Sequence, residues 1–303
     1  MNHAMKEYVL SILPEEQIRY REPMHKYTSF RTGGEADCML FVDNAEQLSK
    51  ILRYMHLTEN EYFLLGNGTN LLVSDKGYDG TVIKLSQGMS RMHVEGERIY
   101  VEAGALLAQT ARRALEAGLT GMEFASGIPG SIGGGLVMNA GAYDGEMSQI
   151  VESVTVMNEE GEIMELDCDT MEFGYRTSAI KNRSFVVLET ALRLKKGDPE
   201  QIQAKMDEFT ARRKAKQPLE YPSAGSIFKR PEGYYAGKLI MDSGMRGYRV
   251  GGAQVSEKHC GFIINTGNAT SEDIAELMAE VQERVKERFR VALEPEIVRL
   301  GVF

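Results

Sequence analysis

Surplus positive charge, clustered cysteines and long apolar runs are all missing from this chain, and each absence removes a class of function. Lysine and arginine number 35 against 44 aspartates and glutamates, a formal charge of −9 at pH 7. A general nucleic-acid binder neutralises phosphate with surplus Lys and Arg, so that role is excluded, while a local cationic pocket is not. The three cysteines, Cys38, Cys168 and Cys260, are odd in number and far apart. They form neither a disulfide framework nor a CxxC metal motif, and they fit a reducing compartment. The five histidines show no HxxxH or HxH spacing, so no metal centre is expected. No apolar stretch approaches the roughly 20 residues needed to span a bilayer. The first ten residues carry His3, Lys6 and Glu7 and lack the continuous apolar core of a secretory signal, so a cytoplasmic protein is expected.

What remains is enough for a sizeable core. The chain has 303 residues, 43% hydrophobic and 26% charged, which predicts a globular protein of about two domains. Leu48, Ile51, Leu52 and Met55 recur at helical spacing and predict a helix over 45–57. Short strands are expected at 62–65, 71–73, 81–85 and 99–102, and a helix over 106–117 stopped by Gly118. Residues 154–157 and 163–166, joined by a turn at 158–161, read as a hairpin, and 185–194 as a further strand. At Lys195-Lys196-Gly197-Asp198-Pro199 the β-rich pattern ends and a helix over 200–214 begins, which predicts a domain boundary near Lys196. The second part holds expected helices at 235–242 and 271–289 and a strand at 262–265, with Thr270 and Asp273 spaced as a capping box. The predicted class is α+β.

Two glycine-rich loops stand out. Gly66-Asn67-Gly68-Thr69-Asn70-Leu71, between two strands, can turn sharply and bring backbone N–H groups near a ligand, although short loops of this kind mostly just connect strands. Ser126-Gly127-Ile128-Pro129-Gly130-Ser131-Ile132-Gly133-Gly134-Gly135 has five glycines in ten residues and continues to Asn139 and Ala142. Such density costs conformational entropy at each glycine unless the backbone must approach something closely. A diphosphate is the natural occupant, because consecutive N–H groups and a helix N-terminus bind anions without basic side chains. No Gly-Lys-Ser/Thr closes a P-loop, and no strand-GxGxxG-helix unit can be fitted, so a dinucleotide held in another fold is expected.

These motifs, with Tyr27-Thr28-Ser29-Phe30-Arg31-Thr32-Gly33-Gly34, Gly174-Tyr175-Arg176, Ser223-Ala224-Gly225-Ser226-Ile227-Phe228-Lys229 and Leu293-Glu294-Pro295-Glu296, closely resemble the UDP-N-acetylenolpyruvoylglucosamine reductases. The resemblance runs over nearly the whole chain. It implies an α+β FAD-binding region of the vanillyl-alcohol-oxidase type, two subdomains over 1–196, followed by a substrate-binding domain over 197–303. It implies FAD contacts from residues 66–71, from Ser126, Gly127, Ile128, Pro129, Gly130, Ser131, Gly133 and Gly134, and from Asn139 and Ala142. Neither glycine loop contains His or Cys, which favours non-covalent FAD. Between Arg176 and Ser226 the only tyrosine is Tyr221, so the chain looks like the family's shorter form, without a tyrosine-bearing lid.

The resemblance further implies a ping-pong reaction in which NADPH and then UDP-N-acetylglucosamine-enolpyruvate use the same space. Arg176 matches the family arginine, and a fixed planar cation suits developing enolate charge. Glu296 matches the glutamate that holds or polarises the substrate carboxylate, with Glu294 as a control of the same type. Ser226 matches the proton donor. Tyr175, Lys216 and Lys229 are candidates for substrate binding, the lysines because ammonium groups pair with phosphate oxygens. No obligate protein partner is evident. Two rival readings stay open: another oxidase or dehydrogenase of the same FAD-binding superfamily, and a nucleotide-binding relative without catalysis.

Overall fold

Leu48, Ile51, Leu52 and Met55 form one buried face of the helix Ala45–Leu57, whose N-terminus is capped by the Asn44 side chain accepting from the Gln47 N–H at 2.9 Å. That face packs on Leu40, Val42 and Ile83 from neighbouring strands. Each buried aliphatic side chain contributes about 1.5–3 kcal/mol, so four on one face fix the helix where its intrinsic propensity would not. In this computed structural model residues 3–303 are described; residues 1 and 2, the start of the stretch read for a secretory signal, lie outside the described residues.

The chain divides into two compact units that do not follow the expected 1–196 and 197–303 division. Among the described residues the first comprises 3–19, 38–67 and 80–213, the second 20–37, 68–79 and 214–303. The polypeptide thus crosses between units five times: inside the strands Ile18–Pro23, Glu35–Val42 and Tyr78–Leu85, in the loop between Asn67 and Gly68, and inside the helix Pro199–Lys216.

The first unit has two separate cores. One lies between the helix Ala45–Leu57 and a sheet in which Tyr62–Leu65 runs parallel to Tyr78–Leu85, with Leu65 opposite Lys84. The other is built on a five-stranded antiparallel sheet of Ile163–Asp167, Val151–Met157, Val186–Arg193, Arg98–Glu102 and Met92–Glu95, in that spatial order. The hairpin turn is held by the Gly161 N–H donating to the Asn158 carbonyl at 3.0 Å, with Gly161 at φ +79°. The short helix Ile132–Val137, unforeseen because three successive glycines follow its first residue, packs Ile132 and Leu136 into this core.

In the second unit the helix Ser271–Phe289 buries Ile274, Leu277, Met278, Val281 and Val285 against the sheet formed by Arg249–Val250, Ala253–Val255 and Ile263–Asn265. Its expected capping box forms: Thr270 Oγ1 accepts from the Asp273 N–H, and the Asp273 carboxylate accepts from the Thr270 N–H, both at 3.0 Å. The C-terminal strand Val298–Leu300 runs parallel to Leu71–Val73.

Candidate active site

The first glycine loop begins where Tyr62–Leu65 ends. Lys84, opposite Leu65, donates from Nζ to the Gly66 carbonyl at 2.7 Å. The Asn67 carboxamide donates to the Pro129 carbonyl, so the two glycine loops are joined within the first unit. A Cβ on Gly66 would stand 2.9 Å from Ser131 Oγ, and one on Gly134 would meet only that same oxygen, at 3.3 Å. Ser131 caps the helix Ile132–Val137, its Oγ accepting from the Gly134 N–H at 3.3 Å. Gly133 is bare for a different reason: a Cβ there would come within 3.1 Å of the Ala103 Cβ. The N–H groups of Ile132 and Gly133 donate to the Ala105 and Ala103 carbonyls, and the Leu107 N–H donates to Gly130, so part of the second loop serves the protein's own backbone.

Gly66, Asn67, Ser131, Gly133, Gly134 and Lys84 share a cavity of about 120 Å³ with apolar walls that include Leu64, Leu85, Val137 and Val187. That is far more than the roughly 10–15 Å³ one water requires. Apolar walls with a glycine-lined polar end fit a nucleotide cofactor, and added Cβ atoms at Gly66 or Gly134 would crowd that end.

Further along the second loop, Arg213 lies over Gly127, where a Cβ would come within 3.2 Å of its Cδ. Burial lowers the Arg213 pKa, with the nearby Tyr143 opposing the shift. Tyr143 stacks on Phe209 at 4.5 Å and carries the Arg212 guanidinium at 4.8 Å. Of the remaining loop residues, Ser126 donates from Oγ to the Glu123 carbonyl, Ile128 packs on the core, and Ala142 pairs with Gly145 in a two-residue ladder.

Arg176 occupies the left-handed region at φ +57°. The reciprocal bonds between Gly174 and Thr177 close the turn that holds it there. Its guanidinium donates to the Gly141 carbonyl at 3.3 Å and lies 5.2 Å from the centre of the exposed Tyr175 ring. Buried Asn139, itself at φ +42°, braces the turn by donating to the Gly174 carbonyl while accepting from the Ser148 N–H.

The second unit holds Gly68, Thr69, Asn70, Leu71, Lys216, Ser226, Lys229 and Glu296. Gly68, at φ +62°, lies so close to Tyr27 that a Cβ would overlap that residue's carbonyl oxygen. Half-buried Thr69 follows it, and Leu71 opens the buried strand Leu71–Val73. Ser226 follows Gly225, at φ +78°, and precedes Ile227, whose N–H donates to the Gly261 carbonyl at 2.9 Å while its carbonyl accepts from the Glu296 N–H at 2.8 Å. The Ser226 and Glu296 segments are therefore neighbours. Lys229 forms an ion pair with Glu294, the more exposed of the two glutamates.

His259 was not singled out in the sequence. A Cβ on Gly261 would stand 2.9 Å from His259 Cε1 and 3.2 Å from Ser226 Oγ, so this glycine admits both side chains to one spot. The imidazole Nδ1 accepts from the Gly261 N–H at 3.1 Å. Burial, chiefly, lowers its pKa; a hydrogen bond with its own backbone opposes this, and the charge of Lys216 adds to it.

Among the described residues no His, Cys, Asp and Glu cluster is placed to hold a metal ion, and no helix is long and apolar enough to cross a membrane.

Residues 36–167 match the FAD binding domain family, and residues 217–300 match the UDP-N-acetylenolpyruvoylglucosamine reductase C-terminal domain. The UDP-N-acetylenolpyruvoylglucosamine reductase of Caldanaerobacter subterraneus subsp. tengcongensis is 50% identical over 301 residues, 99% of each chain. The chain belongs to the UDP-N-acetylenolpyruvoylglucosamine reductase family. Within this family the crystal structure of MurB from Thermus caldophilus superposes with a TM-score of 0.80 at 36% identity, covering 94% of this chain and 98% of that one. Phl p 4, a grass pollen allergen with glucose dehydrogenase activity, is 12% identical with a TM-score of 0.50 over 64% of this chain and 44% of its own, a likeness of fold alone. Membership in the reductase family makes the chain a flavoprotein oxidoreductase with the expected α+β FAD-binding fold, and sets aside the reading as another oxidase or dehydrogenase of the same FAD-binding superfamily.

Proposed function

We propose that the chain binds FAD non-covalently and uses NADPH to reduce the enolpyruvyl group of UDP-N-acetylglucosamine-enolpyruvate, giving UDP-N-acetylmuramate for peptidoglycan precursors. The observation that carries this reading is the 50% identity over 99% of both chains with a reductase of that name. The glycine cradle of Gly66, Ser131 and Gly134 supports it. Residues 36–167 would hold the cofactor and residues 217–300 the sugar nucleotide. Three free cysteines fit a reducing compartment, and the cytoplasm is the proposed location.

Bound FAD would supply the hydride carrier between NADPH and C3 of the enolpyruvyl group. The chain's side chains would manage charge and the proton. Arg176, a guanidinium fixed by Gly141 and its left-handed turn, would stabilise negative charge developing next to the substrate carboxylate. Glu296 would orient that carboxylate, and Ser226 Oγ would deliver a proton to C2. A serine hydroxyl is a weak acid, so a nearby cation that favours its alkoxide would assist; Lys216, whose charge is felt at His259, is suited to this. Lys216, Lys229 and Tyr175 would contact the sugar nucleotide. Lys229 is held by an exposed carboxylate, and such a pair is worth about 0–1 kcal/mol, so exchange for a phosphate is inexpensive.

The test is optical. Purified protein should be yellow, bleach with NADPH in the absence of oxygen, and regain its colour on addition of the enolpyruvyl sugar nucleotide. Bleaching without substrate-driven recovery would point to another acceptor, and a colourless protein that takes up no FAD would overturn the reading altogether.

A further inference from the structure

Backbone N–H groups alone can hold a diphosphate, yet the cavity between the glycine loops also contains a basic side chain. Lys84 lies in the strand Tyr78–Leu85, next to the buried run Thr81, Val82 and Ile83, and is itself half-buried. Among the described residues no carboxylate pairs with it, and its Nζ donates to the Gly66 carbonyl at 2.7 Å. Taking an ammonium out of water without a counter-charge is unfavourable, and a fold tolerates it where an anion compensates. Burial accordingly pulls the Lys84 pKa below the ordinary lysine value, with no ion-pairing partner to hold it up.

The bond to Gly66 also acts on the loop. It fixes the carbonyl that starts the turn, beside the point where Gly66 meets Ser131. The cavity has two kinds of wall, the side chains of Leu64, Leu85, Val137 and Val187 on one hand and the glycine backbone with Lys84 on the other. A flat ring joined to phosphate matches both.

From this juxtaposition we propose that Lys84 is a cofactor-binding residue, the counter-charge for the phosphate-bearing half of FAD and the residue that pre-sets the Gly66 turn to receive it. The inference rests on the FAD reading above and goes beyond it by assigning a cation to the cavity and a part of the cofactor to that cation. Its consequences concern affinity for the nucleotide half of FAD rather than the chemical step.

The experiment is equilibrium binding to the apoprotein, with FAD, riboflavin and ADP as separate probes, for wild type, Lys84→Met, Lys84→Gln and Lys84→Arg. Flavin fluorescence quenching reports the first two, and displacement of FAD reports ADP. A hydrogen bond to a charged group is worth about 1.5–3 kcal/mol, so Lys84→Met and Lys84→Gln should weaken FAD and ADP by about 10- to 150-fold. Riboflavin, which has no phosphate, should bind them as it binds wild type, and Lys84→Arg should recover part of the loss. Raised salt should weaken FAD binding to wild type more than to Lys84→Met. FAD affinity within two-fold of wild type in both neutral variants, or riboflavin affinity lost in parallel with FAD, would overturn the proposal. Wild-type apoprotein that binds no FAD would instead overturn the FAD reading itself. If Lys84→Met fails to fold, Lys84→Arg and Lys84→Gln carry the same comparison, judged by the thermal melt of each apoprotein.

Discussion

Asn70 and Glu296 are joined through the backbone of the acidic segment: the Asn70 carboxamide donates to the Glu296 carbonyl at 3.0 Å. The Val298 N–H donates to the Asn70 carbonyl at the same distance, where Val298–Leu300 starts its parallel run beside Leu71–Val73. The end of the first glycine loop and the candidate glutamate are thus one piece of the second unit. The other glutamate, Glu294, is committed to Lys229.

From that arrangement, Glu296→Gln should slow substrate-driven flavin reoxidation much more than Glu294→Gln does. The second change releases an exposed ion pair and should shift stability by about 1 kcal/mol or less. Single-turnover reoxidation of the two variants is the check. Equal slowing would assign the role to the wrong carboxylate.

Gly133 and Gly134 should separate packing from ligand approach. Gly133→Val drives a side chain into Ala103 and should lower apoprotein stability by about 1–3 kcal/mol along with flavin content. At Gly134 an added Cβ meets only Ser131 Oγ, so Gly134→Val should lower flavin content with a smaller change in melting temperature. The flavin-to-protein absorbance ratio and the apoprotein melt measure both. Full flavin occupancy in folded Gly134→Val would refute the cradle.

Arg176→Gly should uncouple stability from rate. The left-handed backbone at Arg176 disfavours any residue with a Cβ, so glycine there should leave the apoprotein within about 1 kcal/mol of wild type. Removing the charge should slow reoxidation by about 10²–10³, the range for losing one electrostatic stabiliser. Denaturant midpoints and single-turnover rates should move independently. A rate within a few-fold of wild type would make Arg176 a structural residue.

Acid should act partly through His259. Its folded pKa lies below the unfolded value near 6.5, so the unfolded chain binds the extra proton. This group's effect is absent well above the unfolded pKa, and stability falls as pH drops through 6.5 toward the folded value. Urea midpoints from pH 7.5 to 5 should therefore decline less steeply in His259→Gln than in wild type. Parallel curves would contradict the assignment.

Local signals were the legible ones. The amphipathic face of Ala45–Leu57 and the Thr270–Asp273 box need only neighbours in sequence, and both formed as expected. The strand Val298–Leu300 has its partner at Leu71–Val73, over two hundred residues away, so nothing nearby announces it. The interleaved units were hidden because three of the five crossings fall inside strands, at Arg19 to Tyr20, Asp37 to Cys38 and Asp79 to Gly80, with no linker composition to mark the passage. Glycine density pointed to the cradle. Lys84 and His259 escaped notice because an isolated lysine in a strand and an isolated histidine acquire meaning only from a distant carbonyl or a bare glycine.

The most direct measurement is anaerobic stopped-flow of flavin absorbance in wild type and Ser226→Ala. Bleaching by NADPH requires no proton at substrate C2, so it should proceed at wild-type speed in the variant. The return of colour with the enolpyruvyl sugar nucleotide should be slower by about 10²–10⁴, the usual contribution of a positioned general acid. Ser226→Cys, if the sulfur fits, should retain more of that second rate than Ser226→Ala. A return within a few-fold of wild type in Ser226→Ala would contradict the account and make Ser226 a turn residue.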